Sequence, residues 1–124
     1  MIYGTGVDIM HTTRLEALRG KYDDPFFKKT FSEKEYKAGM CRADPIIYFS
    51  ERFAAKEAVF KALNVSSGKF RWNEIETPDD DSGKPYVVLH GIAKEICNEA
   101  GIRCIHISLS SDNGFVIAFA ICET

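Results

Sequence analysis

Long apolar runs are missing from this 124-residue chain. Nothing approaches the roughly 18 consecutive apolar residues of a membrane-spanning helix. The opening MIYGTGVDIM lacks a basic start followed by a long apolar stretch, so a secretory signal is not expected. Cys41, Cys97, Cys104 and Cys122 stand without C-x-x-C spacing, which argues against a zinc site. Scattered through prospective helices and strands, these thiols suit a reducing cytoplasm better than a disulfide framework. Neither GxGxxG nor a P-loop occurs, which excludes the standard nucleotide-binding loops. The triplet Asp79-Asp80-Asp81 lacks the acceptor spacing and distal glutamate of a calcium loop and reads as a solvated turn. No internal repeat, linker or low-complexity segment divides the chain.

What is present is an ordinary globular composition, 45% hydrophobic and 27% charged, in a length that suits one domain over residues 1–124. Charge is unevenly placed. Residues 1–72 hold 13 Lys/Arg against 9 Asp/Glu, whereas residues 73–124 hold 3 against 9. A basic front half suits an acidic partner or a phosphorylated ligand, although uneven charge also arises on folded surfaces without one.

The local signals predict a mixed α+β order with antiparallel strands. IYGTGVDIM reads as a short strand whose glycines either loosen it or admit a close neighbour. Thr13 with Glu16, and Ser32 with Glu35, read as capping boxes opening two helices that stop near Gly20 and Gly39. KYDDPFFKKT, between them, reads as a loop with two exposed aromatics, and RADPII as a break before the next helix. WNEIETP and KPYVVLH predict a hairpin, GIAKEICNEAGI an amphipathic helix ending at Gly101, and the last twenty residues two strands around Asn113-Gly114. His106 begins one of those strands and reads as a packed or surface residue.

SERFAAKEAVFKAL, Ser50 to Leu63, predicts a helix that is apolar on every side and therefore buried. Yet it carries Arg52, Lys56, Glu57 and Lys61, and buried charge is costly unless paired or coordinated. Asp8, on the first strand, is a second carboxylate in an apolar setting. The residues alone leave two readings open. Asp8 caps the following turn while Glu57 pairs with Lys61 at i+4, or the two acids converge beside lysines as a magnesium site for a phosphorylated ligand. Arg52, Lys56 and Lys61 either serve phosphate or lay their stems over apolar surface with their heads in water.

Three stretches, GTGVDIMHTTRL, RFAAKEAVFKAL and HISLSSDNGFVIA, with GKPYV after the hairpin turn, together resemble the holo-acyl-carrier-protein synthases, a family of 4′-phosphopantetheinyl transferases. The G-x-D and F-x-x-K-E-A-x-x-K pair carries most of that resemblance, which runs in order over nearly the whole chain. It implies a 4′-phosphopantetheinyl transferase fold, an antiparallel sheet packed against helices. It implies transfer of phosphopantetheine from coenzyme A to a serine of an apo acyl carrier protein, with release of adenosine 3′,5′-bisphosphate. Asp8 and Glu57 would hold Mg2+, Lys61 would meet coenzyme A phosphates, and Glu57 would serve as base. Arg52, Lys56, Lys61, Gly68, Lys84, Pro85 and Ser111 would form the coenzyme site, and Arg14 would meet the carrier protein. The family further implies a homotrimer with active sites at the subunit interfaces; a cytoplasmic location, with neither nucleic acid nor membrane as partner, is expected.

The chain departs from the family pattern in three places, all bearing on the coenzyme. Ser111 stands where the family has a coenzyme-contacting histidine, NVSSG keeps only Gly68 of a glycine-rich loop, and Asp44-Pro45 replaces basic residues. Serine donates a hydrogen bond to phosphate but adds no charge, so weaker coenzyme affinity or altered carrier specificity is expected. Two other readings share these residues: a catalytically weak relative that binds carrier protein, and a magnesium-dependent hydrolase of nucleotide pyrophosphates.

Overall fold

Around one long helix, α3 (Pro45–Ala62), the rest of the chain is laid in two layers. The computed structural model describes residues 1–66 and 68–124; Ser67, within the NVSSG loop, lies outside the described residues. The helix begins five residues before the expected start. Asp44 accepts from the Ile46 amide as N-cap and Pro45 occupies the first turn, where its missing N–H leaves no bond unmade. Ala54, Ala55, Ala58, Val59 and Ala62 are all fully buried, as an all-round apolar helix requires.

One side of α3 packs on a three-stranded antiparallel sheet in the order β1-β5-β4, with β1 at Ile2–His11, β4 at Cys104–Asp112 and β5 at Phe115–Glu123. The inner face of β5 is small, Ala118 and Ala120, and β1 answers with Gly4 and Gly6. A Cβ at Gly6 would collide with the Ala58 carbonyl oxygen, and one at Gly4 with that of Ala62. Of the two roles open to these glycines, close approach is the one realised: helix backbone lies directly on strand backbone. The outer sheet face stays uncovered and apolar, with Val7 55%, Ile9 61% and Phe119 42% exposed. Asn113 and Gly114 both take positive φ, +52° and +79°, in the tight turn between β4 and β5.

The other side of α3 packs on an aromatic cluster around Phe49, with Phe27 and Phe31 at ring-centroid distances of 5.0 and 4.8 Å. One of these aromatics, Phe27, comes from the segment expected to be a loop. Pro25–Thr30 is a helix, α1, opened by Asp24 as N-cap and proline in the first turn, the same device that opens α3. Its Phe27 is 1% exposed, and burying a side chain of this size contributes about 1.5–3 kcal/mol. Ser32 and Glu35 do form the expected capping box at the head of α2 (Glu33–Met40). Thr12–Leu18, by contrast, is a 3₁₀ helix whose cap is His11 rather than Thr13, and Glu16 bonds to Arg19 instead of closing a capping box. The hairpin is present but shorter than expected, as β2 (Ile75–Glu76) paired with β3 (Val88–Leu89). The amphipathic helix α4 (Gly91–Glu99) ends before Gly101, which turns the chain at φ +75°.

Candidate active site

Asp8 is carried by β1 on its inner face, between Gly6 and Met10, and so points at α3 rather than at the turn that follows the strand. It is 8% exposed. From α3 comes Lys61, whose Nζ donates to the Val7 carbonyl oxygen at 2.8 Å and lies 3.3 Å from Asp8 Oδ1. The other carboxylate oxygen, Asp8 Oδ2, is buried with no hydrogen-bond partner among the described residues. One turn before Lys61, Glu57 adds a second carboxyl. Burial and the nearby Asp8 carboxylate together push Glu57 up to about 7, against the opposing pull of Arg14 and Lys61. Two carboxyls thus share one site at the α3–β1 contact. Arg14, from the 3₁₀ helix, closes the mouth: its guanidinium is 3.9 Å from Glu57 and 5.4 Å from the centre of the Phe53 ring. The alternative pairing, Glu57 with Lys61 and Asp8 as a turn cap, is not formed.

An unpartnered carboxylate oxygen beside a carboxyl of raised pKa is a poor arrangement for protons alone. It fits a hard divalent cation, which takes oxygen ligands and usually keeps waters and phosphate oxygens besides one or two carboxylates. Asp8 and Glu57 are the residues that would hold it.

Lys56 corrects the expectation placed on it. It is fully buried and donates to Glu35 Oε1 at 2.7 Å and to the Ile75 carbonyl oxygen. Burial pulls its ammonium below the usual lysine range while the Glu35 carboxylate pulls the other way. It is therefore a core tie between α3, α2 and β2, not a ligand contact. Glu35 in turn accepts from the Thr77 amide and hydroxyl at 2.8 and 2.7 Å. Its capping role was readable; this second role was not.

Arg52 and Lys84 meet elsewhere. Arg52 donates to the Thr77 carbonyl oxygen at 2.7 Å and to Asp79 at 2.9 Å, and Arg42 holds the second Asp79 oxygen at 2.8 Å. Both guanidiniums lie over the Tyr48 ring, at 4.8 and 5.0 Å. They border a cavity of about 410 Å³ that also takes in Lys84, Pro85 and Ser108. Arg42 and Tyr48 belong to this second site but carry no recognisable motif. Ser111 lies apart from both groups, in a cavity of about 230 Å³ by the β4–β5 turn, with Thr12 and Gly114. Gly68 turns at φ +83° with open space where a side chain would stand.

A helix-borne acid and lysine thus meet a strand-borne aspartate, and an arginine-lined cavity lies apart from them. Residues 4–120 match the family described as the 4′-phosphopantetheinyl transferase superfamily. The holo-[acyl-carrier-protein] synthase of Natranaerobius thermophilus is 40% identical over 98% of this chain and 97% of its own. The Neisseria meningitidis synthase structure superposes at a TM-score of 0.90, with 30% identity and full coverage of both chains. A Helicobacter pylori synthase solved in complex with coenzyme A gives 0.79, with 27% identity over 96% of this chain and 99% of that one. The chain belongs to the 4′-phosphopantetheinyl transferase superfamily and, within it, to the holo-acyl-carrier-protein synthases.

Proposed function

We propose that this enzyme moves 4′-phosphopantetheine from coenzyme A to a serine hydroxyl of an apo acyl carrier protein and releases adenosine 3′,5′-bisphosphate. The observation that carries the reading is the meeting of Asp8, Glu57 and Lys61 at one end of the α3–β1 contact. In the reaction the serine oxygen bonds to the pantetheine-bearing phosphorus, and the bond from that phosphorus to the bridging pyrophosphate oxygen breaks. Glu57, beside Asp8 and Lys61, would accept the serine proton. Lys61, half exposed, offers its ammonium to the pyrophosphate as a point charge. Magnesium, held by Asp8 and Glu57, would supply charge neutralisation on the pyrophosphate and leaving group. Arg14, 56% exposed at the mouth, is placed to meet an acidic carrier protein.

We further propose that the working form is a homotrimer with its sites between subunits. Asp8 lies on one edge strand of the sheet, β1, while Ser108 and the Lys84–Pro85 cavity lie at the other edge, β4. Two strand spacings, about 10 Å, separate those edges, and β5 fills the space between. A second copy presenting its β4 edge beside β1 would join the halves, and association of the copies would bury the apolar patch of Val7, Ile9 and Phe119. A cytoplasmic location is supported by four free thiols and, among the described residues, by the absence of any helix long and apolar enough to cross a membrane.

The direct test is intact-mass spectrometry of an apo acyl carrier protein incubated with this chain, coenzyme A and Mg2+, against an EDTA control. A metal-dependent gain of one phosphopantetheine is the expected result. No gain, where a known synthase succeeds on the same carrier, favours the carrier-binding relative. Breakdown of coenzyme A without carrier favours the hydrolase.

A further inference from the structure

On the outer face of the sheet, at the end where the strands begin and finish, three exposed donors of different chemistry converge. Cys104 and His106 stand two apart on β4 and therefore share a face. Glu123 of β5 is the cross-strand partner of Cys104 and lies on that same face. His106 Nε2 is 3.1 Å from Glu123 Oε1, and Cys104 Sγ is 3.9 Å from His106 Nδ1. One donor atom from each side chain lies within 4.8 Å of the others. None of the three takes part in the Asp8–Glu57–Lys61 cluster.

We propose that Cys104, His106 and Glu123 form a second metal site, for a divalent ion of the zinc class. A thiolate, an imidazole and a carboxylate are the donor set such an ion takes, whereas magnesium and calcium want oxygen alone. Ligand atoms around tetrahedral zinc lie roughly 3.5 Å apart, given bond lengths of about 2.0–2.3 Å. The three donors therefore need to close by about 1 Å, through side-chain rotation alone. In the single chain all three side chains are exposed, at the end of the sheet beyond Val7 and Phe119, while the paired strands hold their backbones in place. Closing the site displaces one surface His106–Glu123 contact, an interaction of the kind that contributes little in water. Three protein ligands leave the fourth position to water. Cys104 loses its proton on binding, so affinity rises with pH. The cysteine spacing that argues against a zinc site counts neighbours along the chain; the β4–β5 register supplies donors that such a count omits.

Cobalt titration of the full chain, with excess Mg2+ present to occupy oxygen-only sites, tests the assignment. One Co2+ per chain is expected, with a near-ultraviolet sulfur-to-cobalt charge-transfer band and four-coordinate visible bands, all removed by added Zn2+. Cys104→Ser should abolish the charge-transfer band. His106→Ala and Glu123→Gln should each weaken binding by more than about tenfold, the lower range seen when even outer-shell partners are removed. Cys41→Ser, which alters the other exposed thiol, should leave the band intact. Absence of the band in the unmodified chain, or its survival in Cys104→Ser with circular dichroism unchanged, would overturn the proposal.

Discussion

Lys61 and Asp8, 53 residues apart in sequence, stand 3.3 Å from nitrogen to oxygen, and the same ammonium donates to the carbonyl of Val7. One lysine therefore ties the helix to the strand at the point where the acids converge. Lys61→Met should lower kcat for carrier modification by about 10²–10³-fold, the range for removal of one preorganised donor to developing charge. Being 53% exposed, Lys61 adds little to stability, so the melting temperature should hardly move. Steady-state kinetics alongside thermal melts separate the two effects.

Glu57 predicts a pH signature of the metal-free protein. Its folded pKa of about 7 lies above its ordinary 4.5, so the folded state binds this proton more tightly than the unfolded one. That stabilisation is fully present below about pH 4.5 and is lost as pH rises through about 7. Glu57→Gln removes the titration. Melts from pH 5 to 8 should therefore show the unmodified chain falling relative to Glu57→Gln, and Mg2+ should restore more stability at pH 8 than at pH 6. Transfer activity should be lost in the variant.

Gly6→Ala places a methyl group against the Ala58 carbonyl oxygen, a backbone atom that cannot turn aside. The expected cost is about 1–3 kcal/mol in denaturant unfolding, as for other overpacked contacts. Because β1 must move away from α3, Asp8 moves with it, and kcat should fall further than the loss of stability accounts for.

The core position of Lys56 makes a different prediction from a ligand role. Lys56→Met leaves the Glu35 carboxylate buried without its cation and should cost about 3–5 kcal/mol. Lys56→Met with Glu35→Gln should recover part of that loss. In the folded fraction of either variant, the KM for coenzyme A should stay near its original value; a rise of tenfold or more would return Lys56 to the coenzyme site.

Phe119→Asp puts a charge in the middle of the uncovered outer face, where Phe119 pairs with Val7 on β1 and Ser108 on β4. Sedimentation should show loss of the proposed trimer, and transfer activity should fall with it while circular dichroism stays native. Trimers that survive the substitution would remove this face from the assembly.

Signals confined to a few neighbouring residues were legible in the sequence. Ser32 with Glu35, Asn113-Gly114, and the unbroken apolar circumference of the central helix act over one turn or one hairpin, and each appears where the residues place it. Asp24-Pro25 and Asp44-Pro45 carry the same helix-opening signature, but proline reads first as a breaker, so α1 was missed and α3 read short. The destinations of the charges were settled by long-range packing. Lys56 and Lys61, five residues apart on one helix, end in the core and at the acid cluster respectively. That division depends on which side of α3 receives α2 and which receives β1. Helical periodicity says only how side chains are spaced around an axis; where each one ends is decided by the backbone that lies against it.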